Sequence, residues 1–285
     1  MEKRKPMNIL RMKKMKQEGI PLTVITAYDY PSAKLAEEAG VDAILVGDSL
    51  GNVVLGYDST LPVTLEDMIY HSRAVARAVT TTFVVADMPF MTYHGSVDTA
   101  LSNIGRLMRE GGCKAVKMEG GAEIAPVVEA CVKAGVPVMG HLGLTPQSVN
   151  QIGGYLVQGK TPEQAEKLLA DAKALEKAGA FAVVLELVTD ETAAKITEEL
   201  SIPTIGIGAG NRCDGQVLVF HDALQYSSGE RPKKFVKTYA NVGDQIRSGL
   251  SQYVEEVKAR QFPAEENTFH GERETVGSLY GSSKE

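Results

Sequence analysis

Short apolar runs alternate with longer stretches of helical periodicity along most of the chain. The runs are rich in Val, Ile and Leu and have few polar breaks, which is typical of parallel strands buried on both faces. The predicted strands span residues 22–27, 43–47, 82–86, 115–118, 137–142, 182–187, 203–207 and 216–220. Alanine- and glutamate-rich stretches such as 31–40, 68–79 and 161–179 predict helices between them. This alternation indicates strand-helix units and a parallel sheet.

Eight such units follow one another without a break in composition, which favours a closed barrel over an open sheet. The length of 285 residues suits a barrel, which typically uses about 250. We therefore predict an α/β fold, a single (β/α)8 TIM barrel with an N-terminal helix, over residues 1–262. The N-terminal helix is predicted from apolar residues at helical spacing, namely Ile9, Leu10, Met12 and Met15.

The C-terminal part of the chain has a different pattern. Residues 242–260 predict an amphipathic helix that packs against the barrel or against another subunit. Residues 263–285 are polar and aperiodic, and we expect them to form a separate C-terminal tail.

Composition narrows the class of partner. The formal net charge of -6 argues against a nucleic-acid-binding protein, which would carry basic stripes. No run approaches the ~18 consecutive apolar residues of a membrane span, and the basic start lacks the apolar core of a secretory signal. The three cysteines are odd in number and have no CxxC spacing, which fits a reducing cytoplasm. A small-molecule partner is the expectation that follows.

Polar and charged residues stand at the ends of several predicted strands. In a (β/α)8 barrel the C-terminal strand ends surround one open mouth, where functional groups gather. In chain order these groups are Asp29, Asp48, Ser49, Asp87, Lys117, Glu119, His141, Glu186 and the glycine loop at 206–210. Each one alone also fits an ordinary role. Asp29 suits a helix cap, His141 a hydrogen-bonded core residue and Glu186 a surface charge.

Four carboxylates at one barrel mouth predict a divalent metal site, because carboxylates packed together repel unless a cation or a proton lies among them. Oxygen ligands without thiolates or a histidine pair suit Mg²⁺ better than Zn²⁺. We expect Asp48 and Asp87 to be direct ligands and Glu119 to bind through water. Glu186, further round the mouth, is then left for acid/base work.

Lys117 and Glu119 are two residues apart, so they point to the same face of their strand. The ammonium of Lys117 could contact a carboxylate or an enolate oxygen, or form only an internal ion pair. A Schiff-base role is disfavoured because nearby anions raise the pKa of a lysine. The GIGAG run at 206–210 is weak support for nucleotide binding, since close backbone approach at a barrel corner explains it as well.

Five long motifs together resemble the ketopantoate hydroxymethyltransferase family. They are VITAYDYPSAKLAEEAGVDAILVGDSLGNVVLGYDSTLPVTLEDM, ADMPF, KMEGG, GHLGLTPQSVNQIGGYLVQGKT and PTIGIGAGNRCDGQVLVFHD. The resemblance covers roughly residues 7–261. It implies transfer of a hydroxymethyl group from 5,10-methylenetetrahydrofolate to 3-methyl-2-oxobutanoate, giving 2-dehydropantoate, through a Mg²⁺-stabilised enolate. It also implies a role in pantothenate biosynthesis and a cytoplasmic homo-oligomer, commonly a decamer.

The resemblance also implies roles for the residues that match its motifs. Asp48 and Asp87 look like metal ligands that also meet the substrate, with Glu119 as a third acidic ligand. Glu186 looks like the catalytic proton acceptor. Contacts to the oxoacid are implied for Ser49, Lys117 and His141. One departure is the sequence LELVTDE at 185–191, where many relatives are expected to have LECVP, so the folate side of the pocket is expected to differ.

Two alternative functions are compatible with parts of this pattern. A phosphoenolpyruvate mutase or isocitrate lyase relative would share the barrel, the Mg²⁺ and the oxoacid enolate. Such enzymes commonly carry a cysteine-bearing loop such as KKCGH, which this sequence lacks. A non-catalytic binding protein has no physical need for two aspartates, a lysine and a further glutamate on separate strands.

Overall fold

The chain folds into a closed barrel of parallel strands. A computed structural model describes residues 4–226 and 233–271. Within these residues eight strands pair in chain order and the last pairs with the first, so the sheet has no open edge. The strands are β1 (Leu22–Thr26), β2 (Ala43–Val46), β3 (Phe83–Asp87), β4 (Ala115–Glu119), β5 (Val138–Gly143), β6 (Ala182–Glu186), β7 (Thr204–Ile207) and β8 (Gly215–Leu218). The predicted (β/α)8 barrel is confirmed, and the strand bounds differ from the predicted ones by one or two residues at most.

Helices connect the strands and cover the outside of the barrel. They are α1 (Ile9–Gln17), α2 (Tyr30–Ala39), α3 (Leu50–Val53), α4 (Leu65–Ala78), α5 (Val97–Gly111), α6 (Ala125–Lys133), α7 (Val149–Ile152), α8 (Pro162–Lys177), α9 (Asp190–Glu199), α10 (Phe220–Leu224) and α11 (Val242–Lys258). Side-chain caps fix several helix starts: the Thr64 and Thr161 hydroxyls accept backbone N–H bonds at the first turns of α4 and α8.

Alternation along each strand divides the apolar core into two layers. Side chains such as Ile44, Val84 and Val116 face outward and pack with the surrounding helices. Their neighbours in sequence face inward and form a second cluster inside the barrel, which includes Leu45 and Val85. The same alternation decides which polar side chains enter the barrel.

The predicted N-terminal helix forms as α1 and lies against the start of the barrel. Met12 of α1 and the preceding Met7 are buried in the inner cluster, together with the first inward-facing residues of the strands. Leu10, by contrast, is 76% exposed, so it does not belong to the packed face. The two methionines close the N-terminal end of the barrel, which leaves the C-terminal mouth as the open end.

The predicted C-terminal helix forms as α11, but its apolar side chains do not pack on the barrel. Leu250 and Tyr253 are more than half exposed, and Gly243 is the buried residue of this helix. Residues 272–285, most of the predicted tail, lie outside the described part of the chain. Within the described residues, no helix is both long enough and apolar enough to cross a membrane.

Candidate functional site

The polar side chains of the strand ends share one cavity at the C-terminal mouth. Asp87, Lys117 and His141 continue the inward-facing series of their strands, which begins with apolar residues. Asp48 and Ser49 instead lie in the turn that follows β2. The cavity has a volume of about 780 Å³. All the predicted site residues line it, namely Asp48, Ser49, Asp87, Lys117, Glu119, His141 and Glu186.

The cavity has an apolar floor below these polar groups. The floor is formed by inward-facing aliphatic side chains, namely Leu45, Val184, Ile207 and Val217. Polar groups on one wall and aliphatic groups below suit a small molecule that has a charged end and a branched apolar end.

Asp87 ends β3 and Asp48 follows the neighbouring strand β2, so the two side chains lie close together. The backbone N–H of Asp48 donates to Asp87 Oδ2 at 3.0 Å, and both side chains are buried. Burial and the charges of Asp87 and Glu119 raise the pKa of Asp48 well above its ordinary value. Burial also raises the pKa of Asp87, although the Lys117 ammonium lowers it in part. Additional positive charge beside these two carboxylates would therefore stabilise their ionised forms.

Lys117 supplies the positive charge nearest to the acids. Its Nζ lies 3.0 Å from Asp87 Oδ1 and 3.0 Å from His141 Nδ1. Burial lowers the pKa of Lys117, but the carboxylates of Asp87, Glu119 and Asp48 raise it above its ordinary value. Lys117 is therefore a buried ammonium and cannot serve as a neutral amine nucleophile.

His141 stands between two carboxylates. Its Nδ1 lies 3.4 Å from Glu119 Oε1 and its Nε2 lies 3.1 Å from Glu186 Oε2. Burial and Lys117 lower the pKa of His141, while the two carboxylates raise it to about 9. The Lys117 contact at 3.0 Å opposes a second proton, because an ammonium can only donate to Nδ1. Nε2, which lies 3.1 Å from Glu186 Oε2, is therefore the ring nitrogen that carries a proton in either charge state.

Ser49 lies beside the two aspartates and is held by a tyrosine. The Tyr28 hydroxyl and Ser49 Oγ are 2.8 Å apart, and Tyr28 is buried. Gly47 completes this corner, because a side chain there would meet Ser49 Oγ at 2.7 Å. Tyr28 was not among the residues predicted from the sequence, although it directly follows the first predicted strand.

Two further buried residues contact the acids and were also missed. Gln147 donates from Nε2 to Asp48 Oδ2 at 2.8 Å and from its backbone N to Glu119 Oε2 at 2.9 Å. The backbone N–H of Glu119 donates to the Tyr93 hydroxyl at 3.0 Å. Both residues lie in loops, where strand alternation gives no signal.

The acid cluster fits a divalent cation better than it fits a purely internal ion-pair network. Four carboxylates and the ammonium of Lys117 line the same cavity, and the buried Asp87 Oδ1 has no hydrogen-bond donor besides its ion-pair contact with Lys117. In the described ranges, no group of three or more His, Cys, Asp or Glu side chains is arranged so that it could hold a metal ion. Mg²⁺ usually takes only one or two carboxylates and completes its shell with water and substrate oxygens. Asp48 and Asp87 are the adjacent pair that could hold it.

Comparison with known proteins decides the family. The model of the ketopantoate hydroxymethyltransferase family matches residues 6–265. The chain belongs to this family. It is therefore an enzyme, a transferase of the hydroxymethyltransferase type.

Close relatives in the ketopantoate hydroxymethyltransferase family come from several bacteria. A 3-methyl-2-oxobutanoate hydroxymethyltransferase of Geobacillus sp. (strain WCH70) is 58% identical over 271 residues, which cover 95% of this chain and 97% of that protein. The enzyme of the same name from Thermoanaerobacter sp. (strain X514) is 58% identical over 260 residues, which cover 91% of this chain and 94% of that protein.

Solved structures outside the ketopantoate hydroxymethyltransferase family share the fold. A phosphoenolpyruvate phosphomutase from Streptomyces platensis subsp. rosaceus superposes with a TM-score of 0.59 at 18% identity, covering 96% of this chain and 95% of that one. A phosphonopyruvate hydrolase solved with oxalate and Mg²⁺ gives a TM-score of 0.58 at 14% identity, with the same coverage. At these identities the likeness concerns the barrel alone.

Two strand-end features of this family member have structural roles in the fold. Asp29 caps α2, since its Oδ1 accepts the backbone N–H of Ser32 at 2.8 Å, and it does not line the cavity. The GIGAG loop shows the close backbone approach that was the alternative to nucleotide binding. A side chain at Gly208, where φ is +65°, would meet Leu187 at 2.8 Å.

Proposed function

We propose that the protein transfers a hydroxymethyl group from 5,10-methylenetetrahydrofolate to 3-methyl-2-oxobutanoate and forms 2-dehydropantoate. The observation that carries this proposal is the cavity itself, in which a buried aspartate pair and a lysine stand above an aliphatic floor. A 2-oxoacid with a branched chain matches both parts, because its carboxylate and keto oxygen need positive charge and its methyl groups need an apolar surface. The family and the names of the relatives support the same substrate.

The proposed metal is Mg²⁺ held by Asp48 and Asp87. Glu119 is proposed as the third acidic ligand, acting through water, because its Oε2 already accepts the Gln147 N–H. When bound, the cation would withdraw electrons from the keto oxygen and so acidify the hydrogen on C3.

The side chains of the protein carry the remaining steps. Ser49 and His141 orient the oxoacid, and the Lys117 ammonium offsets negative charge that develops on the substrate oxygens. Glu186 accepts the C3 proton, which suits a carboxylate that is only 17% exposed and is oriented by the imidazole of His141. C3 then forms a bond to the methylene carbon, both carbon–nitrogen bonds that hold this carbon to the folate break, and water supplies the hydroxyl oxygen. The C3 proton and the remaining proton of the water are balanced by the two N–H groups of the tetrahydrofolate that is released.

Assembly and cellular role are part of the same proposal. The exposed apolar face of α11, with Leu250 and Tyr253, supports a homo-oligomer, and a decamer is the state that the family resemblance implies. We propose a cytoplasmic enzyme of pantothenate biosynthesis. Light scattering combined with size-exclusion chromatography measures the assembly, and a monomer at micromolar concentration would contradict it.

The test of the reaction separates its two halves. The protein is incubated with 3-methyl-2-oxobutanoate and Mg²⁺ in D₂O, and the loss of the C3 proton is followed by NMR before and after 5,10-methylenetetrahydrofolate is added. We expect exchange without folate and 2-dehydropantoate with folate. Absence of both would refute the proposed function, and exchange without product would refute the folate transfer.

Glu186→Gln tests the assignment of the proton acceptor. Loss of a general base typically costs about 10²–10⁴ in rate, so C3 exchange should fall by that factor. Glu191→Gln is the matched control, because Glu191 follows the same strand but is exposed and does not line the cavity. Equal exchange rates in the two variants would show that Glu186 is not the base.

A further inference from the structure

Gln147 is a buried amide at the centre of the hydrogen-bond network beneath the acid cluster. It lies in a short 3-10 turn, Pro146–Ser148, that follows β5, and only 5% of its surface is exposed. From this turn it reaches Asp48 after β2, Met88 after β3 and Glu119 at the end of β4. A single loop residue thus connects the ends of three strands.

The contacts fix which way the amide points. Nε2 donates to Asp48 Oδ2 at 2.8 Å and to the Met88 carbonyl at 2.9 Å, while the Tyr93 hydroxyl donates to Oε1 at 2.9 Å. The reversed amide would place its oxygen against a carboxylate and a carbonyl, which are both acceptors. All donors and the acceptor of the side chain are therefore used in one orientation.

The backbone of the same residue holds a second carboxylate. The N–H of Gln147 donates to Glu119 Oε2 at 2.9 Å, so each of these two acids has one oxygen fixed by Gln147. Asp87 lies on the strand between them and is fixed separately by the N–H of Asp48. The rotation of the Asp48 and Glu119 carboxylates is thereby set from one point.

The chemistry of an amide distinguishes this role from simple loop packing. An apolar side chain of the same length would fill the space, but it would leave the Met88 carbonyl and Asp48 Oδ2 without this donor. A lysine would neutralise Asp48 and compete with a cation. A neutral donor orients the carboxylate and leaves its negative charge available.

We propose that Gln147 is a positioning residue that presets Asp48 and Glu119 to receive a divalent cation, an inference that rests on the proposed function. It touches neither the cavity surface nor the reacting atoms, and it acts through the two carboxylates. Outer hydrogen bonds to metal-binding carboxylates typically change metal affinity by about 10–100-fold when they are removed.

The test measures Mn²⁺ affinity of the full-length protein by electron paramagnetic resonance. Gln147→Met removes the side-chain donors and nearly keeps the length, and we expect affinity to fall at least about 10-fold. Asn103→Leu is the matched control, because the Asn103 amide donates only to the Thr92 carbonyl, at 2.8 Å, and contacts no acid of the cluster. The control should bind Mn²⁺ as tightly as the unchanged protein.

A second variant keeps the inference testable if Gln147→Met does not fold. Tyr93→Phe removes the hydroxyl that donates to Gln147 Oε1. We expect weaker Mn²⁺ binding than in the unchanged protein. Where Gln147→Met does fold, the double variant should bind Mn²⁺ no more weakly than Gln147→Met, since any further loss would come from the separate contact of the Tyr93 hydroxyl with the Glu119 backbone. Affinities equal to the unchanged protein in Gln147→Met, or in Tyr93→Phe where the former is unfolded, would overturn the inference. An unchanged protein that neither binds Mn²⁺ nor forms product would instead refute the proposed function.

Discussion

Glu37 on α2 ties the helix to the start of β3, and its removal gives a test of the fold that is independent of the active site. Its Oε1 accepts the backbone N–H groups of Thr80, Thr81 and Thr82 at 2.7, 2.7 and 3.2 Å, and the Thr81 hydroxyl at 3.0 Å. Glu37→Gln keeps an acceptor oxygen and removes the charge. The variant therefore tests the contribution of the charge, which acts mainly through these hydrogen bonds because Oε2 has only a 3.9 Å contact with Lys34.

The expected loss of stability follows from the two shortest hydrogen bonds to Glu37 Oε1. A hydrogen bond to a charged group contributes about 1.5–3 kcal/mol and a neutral one about 0.5–1.5 kcal/mol, so each full bond loses about 1 kcal/mol. With the two bonds at 2.7 Å counted in full, Glu37→Gln should lower the free energy of unfolding by about 2 kcal/mol. At about 2–4 °C per kcal/mol for a protein somewhat smaller than this one, Tm should fall by about 4–8 °C.

The effect has a definite pH dependence. Burial raises the pKa of Glu37, but the N–H donors of the threonine segment lower it more, and the net pKa lies below the ordinary value. A carboxyl group with a lowered pKa stabilises the folded state above its unfolded pKa, and this stability is lost as the pH falls through the folded value. The difference in free energy of unfolding between the unchanged protein and Glu37→Gln should thus be largest at about pH 7 and should become smaller below about pH 4.

Urea unfolding followed by circular dichroism measures the difference at each pH, and an unchanged m-value shows that stability alone has changed. Glu38→Gln is the control, since the neighbouring Glu38 side chain is 60% exposed and has only a 3.9 Å contact with Lys34. The turnover rate should be unchanged, because Glu37 lies at the other end of β3, roughly 13 Å from Asp87 along the strand. A loss below about 0.5 kcal/mol, or one that grows as the pH falls, would refute the reasoning.

Three further predictions concern the site and its support. Lys117→Met leaves buried carboxylates without their ammonium and should cost about 3–5 kcal/mol in urea unfolding; a cost below about 1 kcal/mol would contradict the charge balance described above. Gly143→Ala should destabilise the protein far more than Gly153→Ala, although φ is near +90° at both positions. The new methyl group would collide with the Glu186 carbonyl at position 143 and would meet nothing within 4 Å at position 153, so equal Tm values would contradict this prediction. Removal of divalent ions with EDTA should lower Tm, and Mg²⁺ at about 100 times its dissociation constant should restore about 2.7 kcal/mol, whereas an unchanged Tm would argue against the cation site.

The fold and the convergence of three of the acids could be predicted because both depend on strand periodicity, whereas Asp48 lies in the turn after β2. Asp87, Lys117 and Glu186 enter the barrel since they continue the alternation of apolar residues along their strands. Asp29 shows the limit of that argument. It also follows a strand, but it caps the next helix, and the sequence alone does not distinguish a cap from a cavity residue.

The residues that hold the acids in place could not be predicted. Gln147 and Tyr93 lie in loops, and their contacts depend on how far each loop folds back over the barrel mouth. The helix α11 is a related case. Its amphipathic pattern predicts the helix, which is confirmed, but the apolar face is exposed because the barrel is already covered by the preceding helices.

The closure of the N-terminal end of the barrel by two buried methionines has a consequence for the order in which substrates bind. Met7 and Met12 close that end, so the two substrates and two products of a group transfer must all enter and leave through the C-terminal mouth. On the proposed function, the smaller oxoacid would bind deepest, against the aliphatic floor, and the folate would bind above it. The proposed function then predicts a compulsory binding order, in which the oxoacid enters first and its hydroxymethylated product leaves last. The hydroxymethylated product would then inhibit competitively with respect to the oxoacid, and no other product and substrate would compete in this way.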